Sequence, residues 1–165
     1  DYSTIKFFNN KSIVDGFTTN PSLMRLAGAK NYKNYSLKIL KICKKKPISF
    51  EVFADNFTDM LKQAYEINSW GKNVYVKIPV VNSKGFFTGT VIKELSDKGI
   101  KLNITAVYSL EQTKKIFSQL NKKTKSIISI LFNSFQLLGN LITVLSIVIG
   151  SGKYVVNFLS LQRYL

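Results

Sequence analysis

The sequence predicts an α/β fold, and three observations lead to this prediction. Short apolar stretches of strand length alternate with longer amphipathic stretches of helix length. A polar residue recurs every 26 residues inside the apolar stretches, which indicates a repeated strand–helix unit. The composition, 45% hydrophobic with three prolines and nine glycines among 165 residues, excludes a disordered or collagen-like chain. Alternating strands and helices form parallel sheets, so we expect one α/β domain over residues 1–165.

Five stretches are predicted to be strands, because they are rich in β-branched and aromatic residues and are bounded by turn residues. They span residues 13–20, 47–54, 73–78, 101–108 and 126–132. The first runs into a turn at Asn20-Pro21, and Pro79 stops the third.

Helical stretches lie between these strands. They span residues 22–46, with a loop at 28–34, then 56–70 and 88–98. Asp55 or Asn56 is the expected N-cap of the second stretch, and Gly99 ends the third. Ser109 opens a further helix, in which Gln112 completes a capping box.

The recurring polar residues mark one face of the predicted sheet. They are Glu51, Lys77, Asn103 and Ser129. Because successive side chains of a strand point to opposite faces, the other faces, which contain Phe50, Val76 and Ile104, are wholly apolar. We expect the apolar faces to pack against helices and the polar faces to point into a common interior. In the fourth strand this alternation assigns Val107 to the polar face and Ala106 to the apolar one.

A regular strand–helix repeat with polar residues projecting inward near the strand carboxyl ends is the plan of a (β/α)8 TIM barrel. A doubly wound open sheet is the alternative. Its nucleotide-binding form has no support, because the sequence contains neither G-x-G-x-x-G nor G-x-x-x-x-G-K-[ST]. A complete barrel usually needs a longer chain, so we expect an incomplete one.

Lys77 is the strongest candidate for chemistry, because a lysine within a buried strand is costly unless it is paired or neutral. Desolvation and nearby cations lower the pKa of a lysine, and the neutral amine is a nucleophile for carbonyls. Glu51, one strand away, is placed to act as a general acid or base, directly or through a water. The structural alternatives are a lysine that reaches solvent from a strand end and a simple ion pair.

Other polar residues have both a functional and a structural interpretation. Asn103 and Thr105 are suited to hold a substrate hydroxyl or a catalytic water, or else to satisfy each other's hydrogen bonds. Asn20 is either a site residue or only a turn residue before Pro21. Cys43 is predicted to be a buried helix residue rather than a reactive thiol.

Three motifs occur in order along the chain: GFTTNPSL at residues 16–23, VYVKIP at 74–79 and LNITAVYS at 102–109. The first resembles the T-T-N-P-S signature of the transaldolases and the related fructose-6-phosphate aldolases. The second resembles the segment that holds their Schiff-base lysine, and the third resembles their next strand. The resemblance covers about residues 1–130 and implies a (β/α)8 barrel.

The resemblance implies that Lys77 attacks the C2 carbonyl of a ketose and forms a Schiff base, after which the C3–C4 bond breaks. A dihydroxyacetone unit then passes to an acceptor aldehyde, so phosphorylated sugars are the expected substrates and no cofactor or metal is needed. Glu51 matches the carboxylate of transaldolases, where simple aldolases tend to carry glutamine; cleavage without an acceptor is the runner-up. Thr105 joins these two residues as catalytic. The implied substrate-binding residues are Thr18, Asn20, Asn103, Ser129, Ser151 and Lys153.

The chain departs from the family pattern in two places. Asp1 matches the second aspartate of a D-T-x-D pattern, so the catalytic aspartate and the first strand are expected upstream. Residues 131–165 diverge: an F-x-G-R segment with a phosphate-binding arginine is replaced, Ser151 and Lys153 echo a later phosphate site, and the last strand is expected to be missing. Truncation with a reading-frame disturbance near residue 131 is one hypothesis. A non-catalytic barrel remnant, whose open edges favour homo-oligomers, is the alternative from another functional class.

Residues 126–152 carry no charge and are long enough to span a bilayer. We favour a buried strand–helix–strand segment, because several asparagines and serines interrupt the stretch and a soluble α/β pattern precedes it. A membrane location is therefore not expected.

Charge and residue types limit the other functions. The net charge of +15 suggests nucleic acid, but only Arg25 and Arg163 of the 24 basic residues are arginines, which suit phosphate and base recognition best. We therefore expect solvated lysines and no nucleic-acid partner. The absence of histidine and the single cysteine exclude histidine-dependent triads and cysteine-rich zinc sites. That cysteine usage, without a visible secretion signal, predicts a cytoplasmic protein.

Overall fold

The structure is a computed structural model that describes the backbone of residues 1–134, 141–150 and 153–163 and the side chains of residues 1–131. Its strands form one sheet and pair in sequence order. They are β1 Phe17–Thr18, β2 Ile48–Glu51, β3 Val74–Pro79, β4 Leu102–Val107, β5 Ser126–Ser134, β6 Leu141–Gly150 and β7 Lys153–Arg163. The helices are α1 Tyr2–Asn9, α2 Pro21–Leu26, α3 Tyr32–Ile42, α4 Phe57–Ser69, α5 Gly89–Asp97 and α6 Leu110–Gln119.

Strands β1 to β5 are parallel, and each pairs with the next strand in the sequence. Helices connect them, so the predicted α/β class is confirmed for this part of the chain. A parallel sheet that grows in one direction without a switch point is the arrangement of a TIM barrel, not of a doubly wound sheet. The five strands curl into a half-barrel, and the described residues do not reach the eight strands of a full one.

Local sequence signals explain where the helices begin and end. The capping box at Ser109 and Gln112 is confirmed. Asn56, rather than Asp55, caps α4. Gly99 follows α5 with a positive φ of 75°, which only glycine adopts at no steric cost. The region predicted as helical over 22–46 divides into α2 and α3 around the expected loop, whereas α1 was not predicted.

The apolar strand faces form the core with the helices, as predicted. Phe50, Val76 and Ile104 are fully buried in it. The alternation assigned to the end of β4 is wrong, however. The register between β4 and β5 shifts after Ile104, so that three steps along β4 match two along β5, and Ala106 takes a positive φ of 57°. This bulge moves Val107 to the same face as Ile104, where it is fully buried.

The prediction of a strand–helix–strand segment over residues 126–152 is wrong, because β5 is followed by two further strands. Strand β6 pairs antiparallel with β5 along its length, and β7 pairs antiparallel with β6. The sequence of β6, LITVLSIVIG, is rich in β-branched residues, which favour strands over helices. Within the described ranges, no helix has the length and apolarity needed to cross a membrane.

Candidate active site

The structure brings the two strongest candidate residues together at the carboxyl ends of β2 and β3. Glu51 and Lys77 are register partners, and the Lys77 Nζ donates to Glu51 Oε2 at 3.2 Å. It also donates to the carbonyl oxygen of Thr19 at 3.3 Å. The side chains of Lys77 and Glu51 are 13% and 18% exposed, whereas the other described ion-paired lysines are 52–73% exposed. The pair is therefore partly withdrawn from water.

A cavity of about 280 Å³ opens beside this pair, between β1 and helices α1, α2 and α3. Lys77 reaches into its lining, and so do Asp1, Thr18, Asn20 and Tyr35. Ile5, Leu23, Met24 and Ile39 of the three helices and Phe17 of β1 form its apolar wall. The volume lies near the lower end of the range for small-molecule sites, and a few polar groups on an apolar wall are typical of them.

Thr18 and Asn20 both line this cavity, but they differ in what else they do. The Asn20 side-chain oxygen accepts from the N–H groups of Ser22 at 2.8 Å and Leu23 at 3.3 Å. It therefore caps α2, and Pro21 occupies the first helical position, where its missing N–H costs nothing. Asn20 thus has a structural role as a helix cap, and substrate binding by either residue stays a prediction.

A neutral hydrogen-bond network occupies the sheet interior away from the cavity. The Asn103 amide donates to Ser49 Oγ at 3.0 Å and its oxygen accepts from Ser129 Oγ at 2.9 Å. All three residues are buried. Thr105 stands apart: its hydroxyl makes no hydrogen bond with any side chain or backbone in the described part of the chain. Asn103 and Ser129 share the interior as predicted, but Asn103 is satisfied by Ser49 and Ser129 and not by Thr105.

Three candidate residues remain: Ser151, Lys153 and Cys43. Ser151 lies outside the described residues, and Lys153 begins β7 as the register partner of Gly150. Their phosphate-binding role stays a prediction. Cys43 is buried, as predicted, but it follows α3 as its C-cap rather than lying within the helix, and burial raises the pKa of its thiol. Among the described side chains, no group of three or more potential metal ligands comes together.

Two residues that the sequence did not predict for the site contact the pair. The main-chain carbonyl of Thr19 binds Lys77, and the Tyr32 hydroxyl binds the main chain of Glu51. Burial raises the pKa of Tyr32 to about 12, against the opposing effects of hydrogen bonds from the Glu51 backbone and the Thr19 side chain. A contact made by a main-chain carbonyl cannot be predicted from the residue type, since every residue has a carbonyl. A tyrosine at the start of a helix is most simply interpreted as a core residue.

The family described as Transaldolase/Fructose-6-phosphate aldolase matches residues 1–144. A probable transaldolase of Dehalococcoides mccartyi is 37% identical over 100 residues, which cover 61% of this chain and 44% of that protein. A probable transaldolase of Methanococcus vannielii is 39% identical over 110 residues, 66% of this chain and 47% of that protein. The chain spans about half the length of the curated relatives it matches. By its family match, the chain belongs to the transaldolase/fructose-6-phosphate aldolase family.

Proposed function

We propose that this chain catalyses a transaldolase-type reaction, in which Lys77 forms a Schiff base with a ketose and a dihydroxyacetone unit passes between phosphorylated sugars. One observation carries the proposal: a lysine whose side chain is 13% exposed lines a cavity, and its amine lies 3.2 Å from a carboxylate. Such an amine has the access and the proton acceptor that attack on a carbonyl requires. Family membership supports the same class of reaction.

The proposed reaction needs Lys77 as a neutral amine. The amine attacks the C2 carbonyl, and loss of water from the carbinolamine gives an iminium ion. The C3–C4 bond then breaks, its electron pair moves into the iminium to form an enamine, and the C4 hydroxyl gives up its proton as an aldose leaves. The enamine attacks the aldehyde carbon of an acceptor sugar, and hydrolysis of the new iminium restores Lys77. The lysine supplies the electron sink, so the scheme requires no cofactor.

Glu51 is the proposed general acid and base, because its carboxylate is the nearest one to Lys77 among the described side chains. It would accept the proton released when carbinolamine forms and return it when water leaves, directly or through one water molecule. A glutamate here favours transfer to an acceptor. The runner-up is cleavage that releases free dihydroxyacetone, and the presence or absence of acceptor dependence separates the two.

Borohydride reduction tests the proposal directly. The full chain is incubated with dihydroxyacetone or fructose 6-phosphate, treated with borohydride, digested and mapped by mass spectrometry. We expect one reduced adduct, on the peptide that contains Lys77, because borohydride fixes an iminium as a stable secondary amine. Lys93, which is exposed and paired with Asp97, is the internal control and should stay unmodified.

The absence of an adduct on folded protein would contradict the proposal. The chain would then be a barrel of this family without its chemistry, which is the non-catalytic alternative raised by the sequence. Circular dichroism of the same sample establishes that the protein is folded. An adduct on many lysines, Lys93 included, would also contradict it, since that pattern indicates unselective surface reaction.

A further inference from the structure

The hydrogen-bond ladder between β1 and β2 ends just before Glu51. The Thr19 N–H donates to the Ser49 carbonyl at 3.0 Å, and in a regular parallel ladder the Glu51 N–H would next donate to the Thr19 carbonyl. The following rung would need an N–H from residue 21, which is a proline and has none. The Glu51 carbonyl on this side therefore requires another donor, and the Glu51 N–H does not complete its rung with Thr19 either.

The Tyr32 hydroxyl supplies both missing hydrogen bonds. It accepts from the Glu51 N–H at 2.8 Å and donates to the Glu51 carbonyl at 3.1 Å. A hydroxyl is both donor and acceptor, so this single atom replaces a residue of β1 in the ladder. The ring is held by the rings of Phe53 and Trp70, with centroids 5.7 and 5.9 Å away. The start of α3 thus fixes the end of β2.

This substitution determines the surroundings of Lys77. Because the Glu51 N–H bonds to Tyr32, the Thr19 carbonyl is left to accept from the Lys77 amine at 3.3 Å. The fixed main chain of Glu51 also holds its carboxylate 3.2 Å from the same amine. With a pKa raised to about 12, Tyr32 keeps its hydroxyl proton over the whole neutral range and remains a donor.

We propose that Tyr32 is the positioning residue of this site: its hydroxyl fixes the Glu51 main chain and thereby places the carboxylate and the Thr19 carbonyl against Lys77. It touches no reacting atom and acts through Glu51. The expected effect on catalysis rests on the proposed function, whereas the effect on the Glu51 main chain does not. The two are therefore measured separately.

The kinetic test compares Tyr32→Phe with Glu51→Gln and with the double variant. Phenylalanine keeps the ring that packs on Phe53 and Trp70 and removes only the hydroxyl. We expect kcat to fall about tenfold with KM changed less than about twofold, because the substrate contacts stay. On the Glu51→Gln background the same change should cost only about threefold, since the carboxylate is already neutralised and only the placement of the Thr19 carbonyl is left to lose. Additive losses would overturn the proposal.

Tyr65→Phe is the matched control for loss of a tyrosine hydroxyl. The Tyr65 hydroxyl donates to Glu94 at 2.7 Å between α4 and α5, outside the candidate site. Its removal should leave kcat and KM unchanged. A loss equal to that of Tyr32→Phe would overturn the proposal, because it would show that any helix-surface hydroxyl has the same effect.

Residue-resolved amide hydrogen exchange tests the positioning without any activity. The Glu51 amide should exchange slowly in the wild-type chain and about tenfold faster in Tyr32→Phe, while Tyr65→Phe leaves it slow. Fast exchange in the wild type, which needs no variant to fold, would overturn the proposal, and so would slow exchange in a folded Tyr32→Phe. A chain without borohydride adduct but with this exchange pattern would lose the proposed function and keep the positioning role.

Discussion

Two polar groups on the same inward face of the sheet contrast sharply. Lys77 and Glu51 form a charged pair at the strand ends, beside a cavity, with side chains 13% and 18% exposed. Ser49, Asn103 and Ser129 form a neutral network in the interior and are 3%, 4% and 8% exposed. Ser49 precedes Glu51 on the same strand face by two positions, whereas Asn103 is the register partner of Lys77. Charge is retained at the strand ends beside the cavity, and neutral groups that satisfy one another fill the adjoining interior.

The largest effect on this comparison should come from changing the lysine of the charged pair. Lys77→Arg keeps the positive charge and the partner carboxylate but removes a nucleophilic amine, because a guanidinium is not deprotonated in proteins. We expect complete loss of the borohydride adduct, with activity lower by at least about a thousandfold. Mass mapping and turnover assays measure both.

Lys93→Arg is the control for this change. Lys93 pairs with Asp97 on the exposed surface of α5, at 2.8 Å. That variant should keep wild-type adduct formation. Persistence of an adduct in Lys77→Arg would assign the nucleophile to another lysine. It would also remove the functional distinction between the charged pair and the neutral network.

Neutralising the carboxylate should have the next largest effect. Glu51→Gln keeps the shape of the side chain and removes the proton acceptor next to Lys77. We expect a fall in turnover of about a hundredfold, the lower end of the range for general acid–base catalysis, with an adduct that still forms slowly. Unchanged turnover would leave Glu51 as only an ion-pair partner. A change in the ratio of cleavage to transfer would assign it the choice between the two reactions.

Changes in the neutral network should lower the stability of the fold and leave adduct formation intact. Asn103→Leu leaves the buried hydroxyls of Ser49 and Ser129 without a partner, and we expect a loss of about 2 kcal/mol in the free energy of unfolding. Urea denaturation measures it. Asn10→Leu, at an exposed position after α1, should change this free energy little. Loss of the borohydride adduct in a folded Asn103→Leu would show that the network takes part in the reaction. The contrast between the charged pair and the neutral network would then no longer hold.

Local patterns predict the parallel half of the fold well, because each element carries its own signal. The alternating apolar faces of β2 and β3, and the capping box of α6, were readable from neighbouring residues. The bulge at Ala106 was not, since it arises from the register that β4 adopts against β5. Strands β6 and β7 were also missed, because the identity of a charge-free stretch depends on the strand available for pairing.

The candidate site divides in the same way. Lys77 and Glu51 were found because a charged residue inside an apolar strand is conspicuous at any position. Asn103 and Ser129 were found by the same spacing, but the sequence could not say whether their partners were each other or a ligand. Tyr32 was missed because its role follows from a proline eleven residues earlier that ends the β1 ladder. Only the fold places those two segments beside Glu51.

Asp55 is a third charged residue to compare with the charged pair and the neutral network, and it lies at the exposed rim of the sheet. It follows β2, and its carboxylate accepts from the Ser83 N–H at 2.7 Å and from the Ser83 hydroxyl at 2.8 Å, which ties down the loop after β3. These hydrogen bonds, the backbone one first, lower the pKa of Asp55 below its usual 3.8. A lowered pKa in the folded state means that the carboxylate stabilises this loop above about pH 4 and loses that effect as the pH falls through the folded-state value.

The smallest expected effect is therefore local and acid-dependent. Protection of the Ser83 amide from hydrogen exchange should be constant from neutral pH to about pH 4 and fall by a few-fold below it. In Asp55→Asn, which cannot titrate, the protection should be lower at neutral pH and should not change on acidification. Asp15→Asn, a change of the same charge at an exposed position before β1, should leave the wild-type profile intact. An acid-dependent loss that persists in Asp55→Asn would assign the loop's pH response to another group, and the rim carboxylate would then be a solvated charge without a structural role.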